Sequence, residues 1–234
     1  MKDTVGTSSK LEFIIPHEGV VGNTIASTAL KEQYRLLIAA ISKRLAARGI
    51  RCDISDAWYL ATQNHFSFSV EGKGKQELKE KMTQVLGAFA DITKKGFGKE
   101  ELADYVAEKV NRMKADTVGF QSGKWCDDFV DYIISGDRYV AWDEDMEKVR
   151  LLVGNTSSSQ LQKLFKTILN EGKKSLLVAY QNNAGKTESF TESELQQLWQ
   201  QGLKTRMPAY TYQRKEVEEK QYVDMPACLS ATHP

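Results

Sequence analysis

Histidine is the residue type that would most directly supply a metal or acid–base site, and it occurs only at His17, His65 and His233. A zinc peptidase needs two histidines four residues apart on one helical face, with a glutamate beside one of them. His17-Glu18 begins like the HExxH form, but Val21 occupies the position of the second histidine. The inverted HxxEH form is missing from the sequence as well. We therefore expect no metal-binding and no catalytic residue in this chain.

Two glycine-containing stretches invite comparison with phosphate-binding loops. Gly96 and Gly98 would need a third glycine where Glu101 stands to form a dinucleotide-binding fingerprint, and a helix precedes them rather than a strand. The stretch NNAGKT, residues 182–187, ends like a P-loop, but Tyr180 stands where that motif requires its first glycine. We expect a polar loop or hairpin there, and no cofactor-binding residue in the chain.

Acidic and cysteine side chains give no stronger signal. Acidic residues group at positions 127, 128 and 131, typical of a solvated helix face, and from Asp143 to Glu147, where they suit the first turn of a helix. Cys52, Cys126 and Cys228 are widely spaced and odd in number, so they form neither a CxxC metal pair nor a disulfide framework. We expect free thiols. The spacings also do not assemble a serine or cysteine nucleophile with a positioned base.

Composition narrows the function classes further. Of the 234 residues, 41% are hydrophobic and 27% charged, which is ordinary for a globular protein, and the chain is long enough for one generous domain with an extension. The formal net charge of +1 gives no basic field, so nucleic acid is a poor partner. No apolar run approaches the roughly 18 residues that a membrane span needs. The first residues also lack the apolar core of a signal peptide.

The hydrophobic periodicity predicts one short strand, a long helix, two strands and then several helices with a further strand. Phe66, Phe68 and Val70 alternate with serines, as in a strand with one buried face. Ser157 with Gln160, and Thr191 with Glu194, are capping-box patterns that start helices. The order of elements predicts an α+β fold, an antiparallel or mixed sheet with helices packed on one face. The expected elements are strands at 11–15, 57–61, 65–70 and 175–180, and helices at 25–48, 76–95, from 99, around 125–133, at 143–153, from 158 and from 192.

The stretch TKKGFGKEELADYV, residues 93–106, is best explained as a helix–helix corner. Gly96 is expected to end one helix as a left-handed cap, and Gly98 to begin the next. Glu101 then lies at the N3 position, from which it can bond back to the helix start. Phe97 is placed to pack onto Leu102 across the first turn. Gly96, Phe97, Glu101 and Leu102 are therefore structural residues of the corner.

This corner lies within an ordered series of stretches. Arg44-Leu45 closes the long helix, the strand NHFSFSVEG follows, and KQELKEKMTQVLGAFADITKKGF leads into GKEELADYVAEKVNRM. Downstream come an acidic helix, a Ser-capped helix, the strand SLLVAY and then TESFTESELQQLW. Over residues 10–205 this series resembles the pitrilysin/insulinase family of zinc metallopeptidases, the inverted HxxEH group. Gly98 departs from the Thr or Ser usual at the corner.

The resemblance implies a particular place within such a protease. Family members are built from similar domains in tandem, and typically only the first carries zinc, so this chain resembles the non-catalytic second domain of the first half. Residues 1–203 would be an inactive peptidase-like α+β domain, and residues 204–234 a linker or extended arm toward a following domain. Zinc is expected in a separate catalytic domain of the parent. The implied partners are the catalytic and second-half domains and a peptide substrate in the shared chamber, whereas the compartment, by analogy the bacterial periplasm or cell envelope, is left open by the sequence.

Two other functions stay open at this point. The same fold could serve as a protein-binding scaffold with no proteolytic partner, which the absence of a protease domain in the parent would indicate. A stand-alone enzyme of another class, such as an ATPase using Gly185-Lys186-Thr187, is the third hypothesis. Tyr180 and the absence of a second acidic magnesium motif argue against it, and nucleotide binding would test it.

Overall fold

The computed structural model describes residues 8–22, 24–60, 62–118, 144–182 and 189–214, together with positions 126, 130 and 133. Four strands form one sheet in the order β2-β3-β1-β4, and every neighbouring pair runs antiparallel. The α+β class is confirmed, and of the antiparallel and mixed alternatives the sheet is antiparallel. The strands are β1 (Ser9–Glu18), β2 (Asp53–Leu60), β3 (Gln63–Gly72) and β4 (Leu177–Gln181).

Strand β1 continues past Pro16, where the sequence predicted that it would stop. Strand β4 pairs only with Lys10 to Ile14 of β1. From Ile15 onward, no described strand pairs with that side of β1. A proline has no N–H to donate and is tolerated at such an edge. The strand therefore runs on to Glu18, opposite Gln63 of β3.

Six helices lie within the described residues. Capping boxes start three of them, at Thr24, Ser157 and Thr191; those at Ser157 and Thr191 confirm the sequence prediction. No described helix is both long and apolar enough to cross a bilayer. The expected helix around 125–133 and the stretch 182–187 lie largely outside the described residues. The helices are α1 (Ile25–Ala47), α2 (Lys75–Lys95), α3 (Lys99–Val118), α4 (Glu144–Gly154), α5 (Ser158–Glu171) and α6 (Glu192–Gly202).

The main core lies between one face of the sheet and helices α1, α2, α5 and α6. Alternate residues of β1 and β3 point into it, because Leu11 lies opposite Val70 and Phe13 opposite Phe68. Aromatic rings meet there at centroid distances of 5.0 Å for Phe68–Phe89 and 5.1 Å for Phe89–Phe165, both edge to face. Each such ring buries a large apolar area, so this cluster contributes strongly to the hydrophobic stabilisation of the domain.

A smaller second core joins α1, α3 and α4 on the outer side of the helical layer. Its buried members are Ala29, Met113, Val149 and Val153. Helix α4 also carries Leu151 and Leu152, which are 59% and 45% exposed. In the first turn of this helix Asp145 pairs with Lys148, and Glu147 pairs with Arg150.

Candidate functional site

The face of the sheet opposite the main core carries side chains that another molecule could contact. The pairing register alternates, so the residues between the buried ones point away from the helices. We call this surface the open face. Its members are Lys10, Glu12, Ile14 and Pro16 of β1, Ser55, Ala57 and Tyr59 of β2, His65 and Ser67 of β3, and Leu177 and Ala179 of β4.

The open face combines short hydroxyl-bearing side chains with aromatic and aliphatic ones. Ser55 and Ser67 share a hydrogen bond of 2.8 Å between their hydroxyl oxygens across β2 and β3. Tyr59 stacks on His65 with ring centroids 4.0 Å apart and planes 15° apart. Leu177, 48% exposed, lies directly opposite Ile14. Such a surface offers hydroxyl groups, aromatic rings and aliphatic groups to a ligand without a strong field of either sign.

Strands β2 and β4 form the two outer edges of this sheet. An outer strand presents backbone N–H and C=O groups that can pair with an extended chain. β4 is only five residues long, and its exposure alternates from Leu177 to Gln181. Within the part of the chain that the structure describes, no further strand covers these edges. The open face and its edges together could therefore hold an extended peptide.

The helix–helix corner lies on the other side of the molecule, between α2 and α3. Gly96 ends α2 with φ 69° and ψ −158°, a conformation that only glycine adopts readily. A Cβ atom there would lie 2.6 Å from the hydroxyl oxygen of Ser158. That hydroxyl accepts from the Phe97 N–H and donates to the Phe97 C=O, each at 2.8 Å. Ser158 therefore ties the corner to the start of α5.

Glu101 of α3 is the most heavily bonded side chain of the corner. Its Oε1 accepts from Arg44 Nε at 2.6 Å and from the Tyr105 hydroxyl at 3.2 Å. Its Oε2 accepts from the Gly98 N–H at 3.1 Å and from a second nitrogen of Arg44. Burial and the neighbouring Glu101 carboxylate raise the pKa of Tyr105, so this phenol stays protonated as a donor. The carboxylate is only 1% exposed, and Phe97 and Leu102 are 4% and 8% exposed.

Of the two histidines that the structure describes, His17 is the one beside a carboxylate, and both of its ring nitrogens are engaged. Nε2 lies 2.9 Å from Asp56 Oδ1, and Nδ1 lies 2.9 Å from the Glu18 C=O. Tyr34 stacks on the ring at 5.8 Å, and burial together with Asp56 raises the pKa of Tyr34. The histidine is 5% exposed. A ligand or base role would require breaking one of these bonds, so the ring ties β1 to β2 instead.

A shallow depression of about 430 Å³ lies where β2 and β3 meet the start of α2. Cys52 lies at this site, and burial raises the pKa of its thiol to about 12, which keeps it protonated and poorly nucleophilic. Lys81 is paired with Glu77 there at 2.6 Å. Cys52 and Cys126 are free thiols, while Cys228 lies outside the described residues. Among the described residues no group of three or more His, Cys, Asp or Glu side chains is arranged to hold a metal ion.

Sequence reasoning missed the partner of Glu101. Arg44 lies 57 residues earlier in the chain and only 4% of it is exposed. The available signal is its position, three residues after Ile41 and next to Leu45, within the apolar stripe of α1. A charged residue in a buried stripe needs a charged or hydrogen-bonding partner, but the spacing cannot say which one.

No protein-family model and no curated protein matches this sequence. Solved structures do match in fold. The periplasmic protease PqqL from Escherichia coli superposes with a TM-score of 0.76 at 12% identity over 93% of this chain and 25% of that chain. Its first half, solved separately, gives the same score and identity over 91% of this chain and 47% of that chain.

Two more solved structures extend the likeness. A predicted insulinase family protease from Yersinia pestis matches with a TM-score of 0.64 at 11% identity, over 82% of this chain and 43% of that chain. A domain described as the inactive peptidase domain of a zinc protease from Bordetella parapertussis matches at 0.51 and 13%, over 82% of this chain and 98% of that chain. The fold is thus that of insulinase-like zinc protease domains, and the chain spans about a quarter of the length of PqqL.

Proposed function

We propose that this chain is a non-catalytic, substrate-chamber domain of a larger zinc metalloendopeptidase and that it acts only within that parent. The observation that carries the proposal is a fold match over 93% of this chain to one quarter of a periplasmic protease. The sequence has no HxxEH motif, and its buried His17 has both ring nitrogens bonded. Proteolysis would therefore depend on residues supplied by another domain.

The open face is the surface that we assign to the chamber wall. Its small hydroxyl-bearing and aliphatic side chains, such as Ser55, Ser67 and Leu177, can lie against an unfolded peptide without selecting one sequence. The edge strands β2 and β4 add backbone groups that bind any extended chain. The opposite side of the sheet is covered by the helices and carries the corner.

In the proposed parent the zinc ion belongs to a separate catalytic domain, where it would activate the water that attacks the peptide bond. The partners of this chain are that catalytic domain, the second-half domains and the peptide in the chamber. By analogy with PqqL, which is described as periplasmic, we propose the bacterial periplasm or cell envelope as the compartment.

The test of the catalytic part is metal analysis of the purified chain by mass spectrometry, run with a cleavage assay on an unstructured peptide. We expect no stoichiometric zinc and no cleavage from this chain, and chelator-sensitive cleavage from the parent. One zinc per chain with chelator-sensitive activity would overturn the proposal. A parent without any zinc motif would instead favour the scaffold function.

The chamber wall is tested in the parent by placing one charge on each of two exposed leucines. Leu177→Arg lies on the open face, and Leu151→Arg lies on α4 as the matched control. We expect Leu177→Arg to raise KM for an unstructured peptide and Leu151→Arg to leave it unchanged. Equal KM values for both variants would remove the open face from the chamber.

A further inference from the structure

The chain does not leave the domain at the end of α6. Residues Thr205–Arg214, which we call the strap, lie against α2, α1 and α3 without regular secondary structure. Within the strap, Thr205, Met207, Tyr210 and Tyr212 are half-buried, whereas the residues between them are exposed. A segment without secondary structure of its own that buries spaced side chains on a helical surface resembles a bound peptide.

The first contacts of the strap lie on α2 and at the end of α1. Met207 packs over Gly87, where an added Cβ atom would lie 3.0 Å from the methionine sulfur. Glycine at this position therefore makes room for the strap. Arg48 donates to the Pro208 C=O at 3.1 Å, which fixes the backbone where the proline keeps it extended.

Arg44 of α1 and Arg48, the residue that caps the end of α1, then form a platform for Tyr210. The guanidinium carbon of Arg44 lies 4.3 Å from the centre of the tyrosine ring, and that of Arg48 lies 5.2 Å from it. Phe97 lies within 5.2 Å of the Arg44 guanidinium as well. Cation–π contacts of this kind strengthen as water is excluded, and Arg44 is 4% exposed.

The strap ends on α3 at a single carboxylate. Asp104 accepts from the Tyr212 hydroxyl at 2.9 Å and from Arg214 at 2.7 Å. The Tyr212 ring also meets Tyr105 edge to face at 6.1 Å. Burial and the hydrogen bond to Asp104 raise the pKa of Tyr212 to about 12, so its hydroxyl remains a donor at neutral pH.

We propose that α1, α2 and α3 form a peptide-binding site for an extended segment with the pattern Met-Pro-x-Tyr-x-Tyr, and that its occupant is the chain's own strap. Gly87 admits the methionine, Arg44 and Arg48 hold the first tyrosine, and Asp104 holds the second. The site lies on the helical side, away from the open face, and does not depend on the proposed protease function.

Trypsin cleavage of the full chain tests the site, because Arg206 and Met207 flank a cleavable bond within the strap. Tyr210→Ala removes the platform contact, and Gln213→Ala, at an exposed strap position, is the matched control. Losing a cation–π contact should raise the rate of cleavage at this bond about tenfold, provided that the strap detaches and rebinds faster than trypsin cuts it. Cleavage at Arg150–Leu151, on α4, reports general unfolding and should stay unchanged. Equal rates in Tyr210→Ala and wild type, or an equal rise at both bonds, would overturn the proposal.

A labelled peptide of residues 204–214, KTRMPAYTYQR, provides a second measurement on the full chain. Fluorescence polarisation should give an apparent Kd about tenfold lower for the Tyr210→Ala chain than for wild type, because the mutated strap competes less well from its millimolar effective concentration. The same peptide with both tyrosines replaced by alanine should not bind. Equal binding of the KTRMPAYTYQR peptide to both chains, or no binding to the Tyr210→Ala chain, would contradict a peptide site.

Discussion

The corner between α2 and α3 and the open face of the sheet differ in how completely their side chains are engaged. At the corner, Glu101 accepts four hydrogen bonds and is 1% exposed. On the open face, the ion pair of the half-buried Lys10 and Glu12 is long at 3.8 Å, and Leu177 is 48% exposed. The difference teaches that the side chains of the corner are fully engaged within the domain, whereas those of the open face make fewer contacts and keep accessible surface.

Glu101→Ala should produce the largest loss of stability, because it leaves the guanidinium of Arg44 buried without its carboxylate. Removing one partner of a buried ion pair lowers the free energy of unfolding by about 3–5 kcal/mol. Urea denaturation of the variant beside Glu100→Ala, an exposed neighbour on the same helix, measures the effect. A loss below about 1 kcal/mol, the range of a surface ion pair, would erase the contrast between the two regions.

Phe97→Ala should cost about 1–4 kcal/mol, since it leaves a cavity in the core and removes the ring beside Arg44. Phe97→Leu keeps most of the apolar volume and serves as the control, with a smaller loss. Thermal melting followed by circular dichroism reports both variants. An unchanged melting curve for Phe97→Ala would mean that the corner does not depend on this ring.

Gly96→Ala should cost roughly 1–3 kcal/mol, because alanine is strained at φ 69° and its methyl group would press against Ser158. The control is Gly154→Ala at the end of α4, where an added Cβ would meet only Val110 at an ordinary 3.9 Å. That substitution should be neutral or slightly stabilising. If both variants melt alike, the backbone at Gly96 is not under constraint.

Ser55→Ala on the open face should have the smallest effect, within about 0.5 kcal/mol, as for an ordinary surface position. The hydroxyl pair with Ser67 is exposed and water can replace it. Urea midpoints of wild type and variant should coincide within error. A large loss would show that the open face contributes to folding and would weaken its assignment to an external ligand.

The sequence predicted the corner's local geometry better than its tertiary contacts. Gly96, Phe97 and Glu101 are close in the chain, so capping rules apply to them directly. Glu101 and its partner Arg44 are 57 residues apart in the sequence, and hydrophobic periodicity does not show which residues so far apart will meet. The open face was predicted in outline by the alternation in β3, but its edges depend on strand order, which no local pattern sets.

The strap illustrates the same limit. From Lys204 onward the sequence showed no sustained period and was interpreted as a linker or extended arm. In the structure the half-buried residues are two apart at Thr205 and Met207 and again at Tyr210 and Tyr212. The step from Met207 to Tyr210 is three residues, which breaks the period. The position of the domain boundary at residue 203 stays a prediction, because only a folding measurement on shortened chains can define it.

The path of the strap also determines how the domain would respond to tension. A pull on the chain at Arg214 would load the two bonds to Asp104 first, then the ring of Tyr210, then the contact of Met207 with α2. Contacts loaded one after another yield one at a time, so the strap would peel away at low force while the sheet and main core remain intact. Once released, the strap would add about ten residues of extensible chain between this domain and the residues after Arg214, at up to about 3.3–3.6 Å per residue.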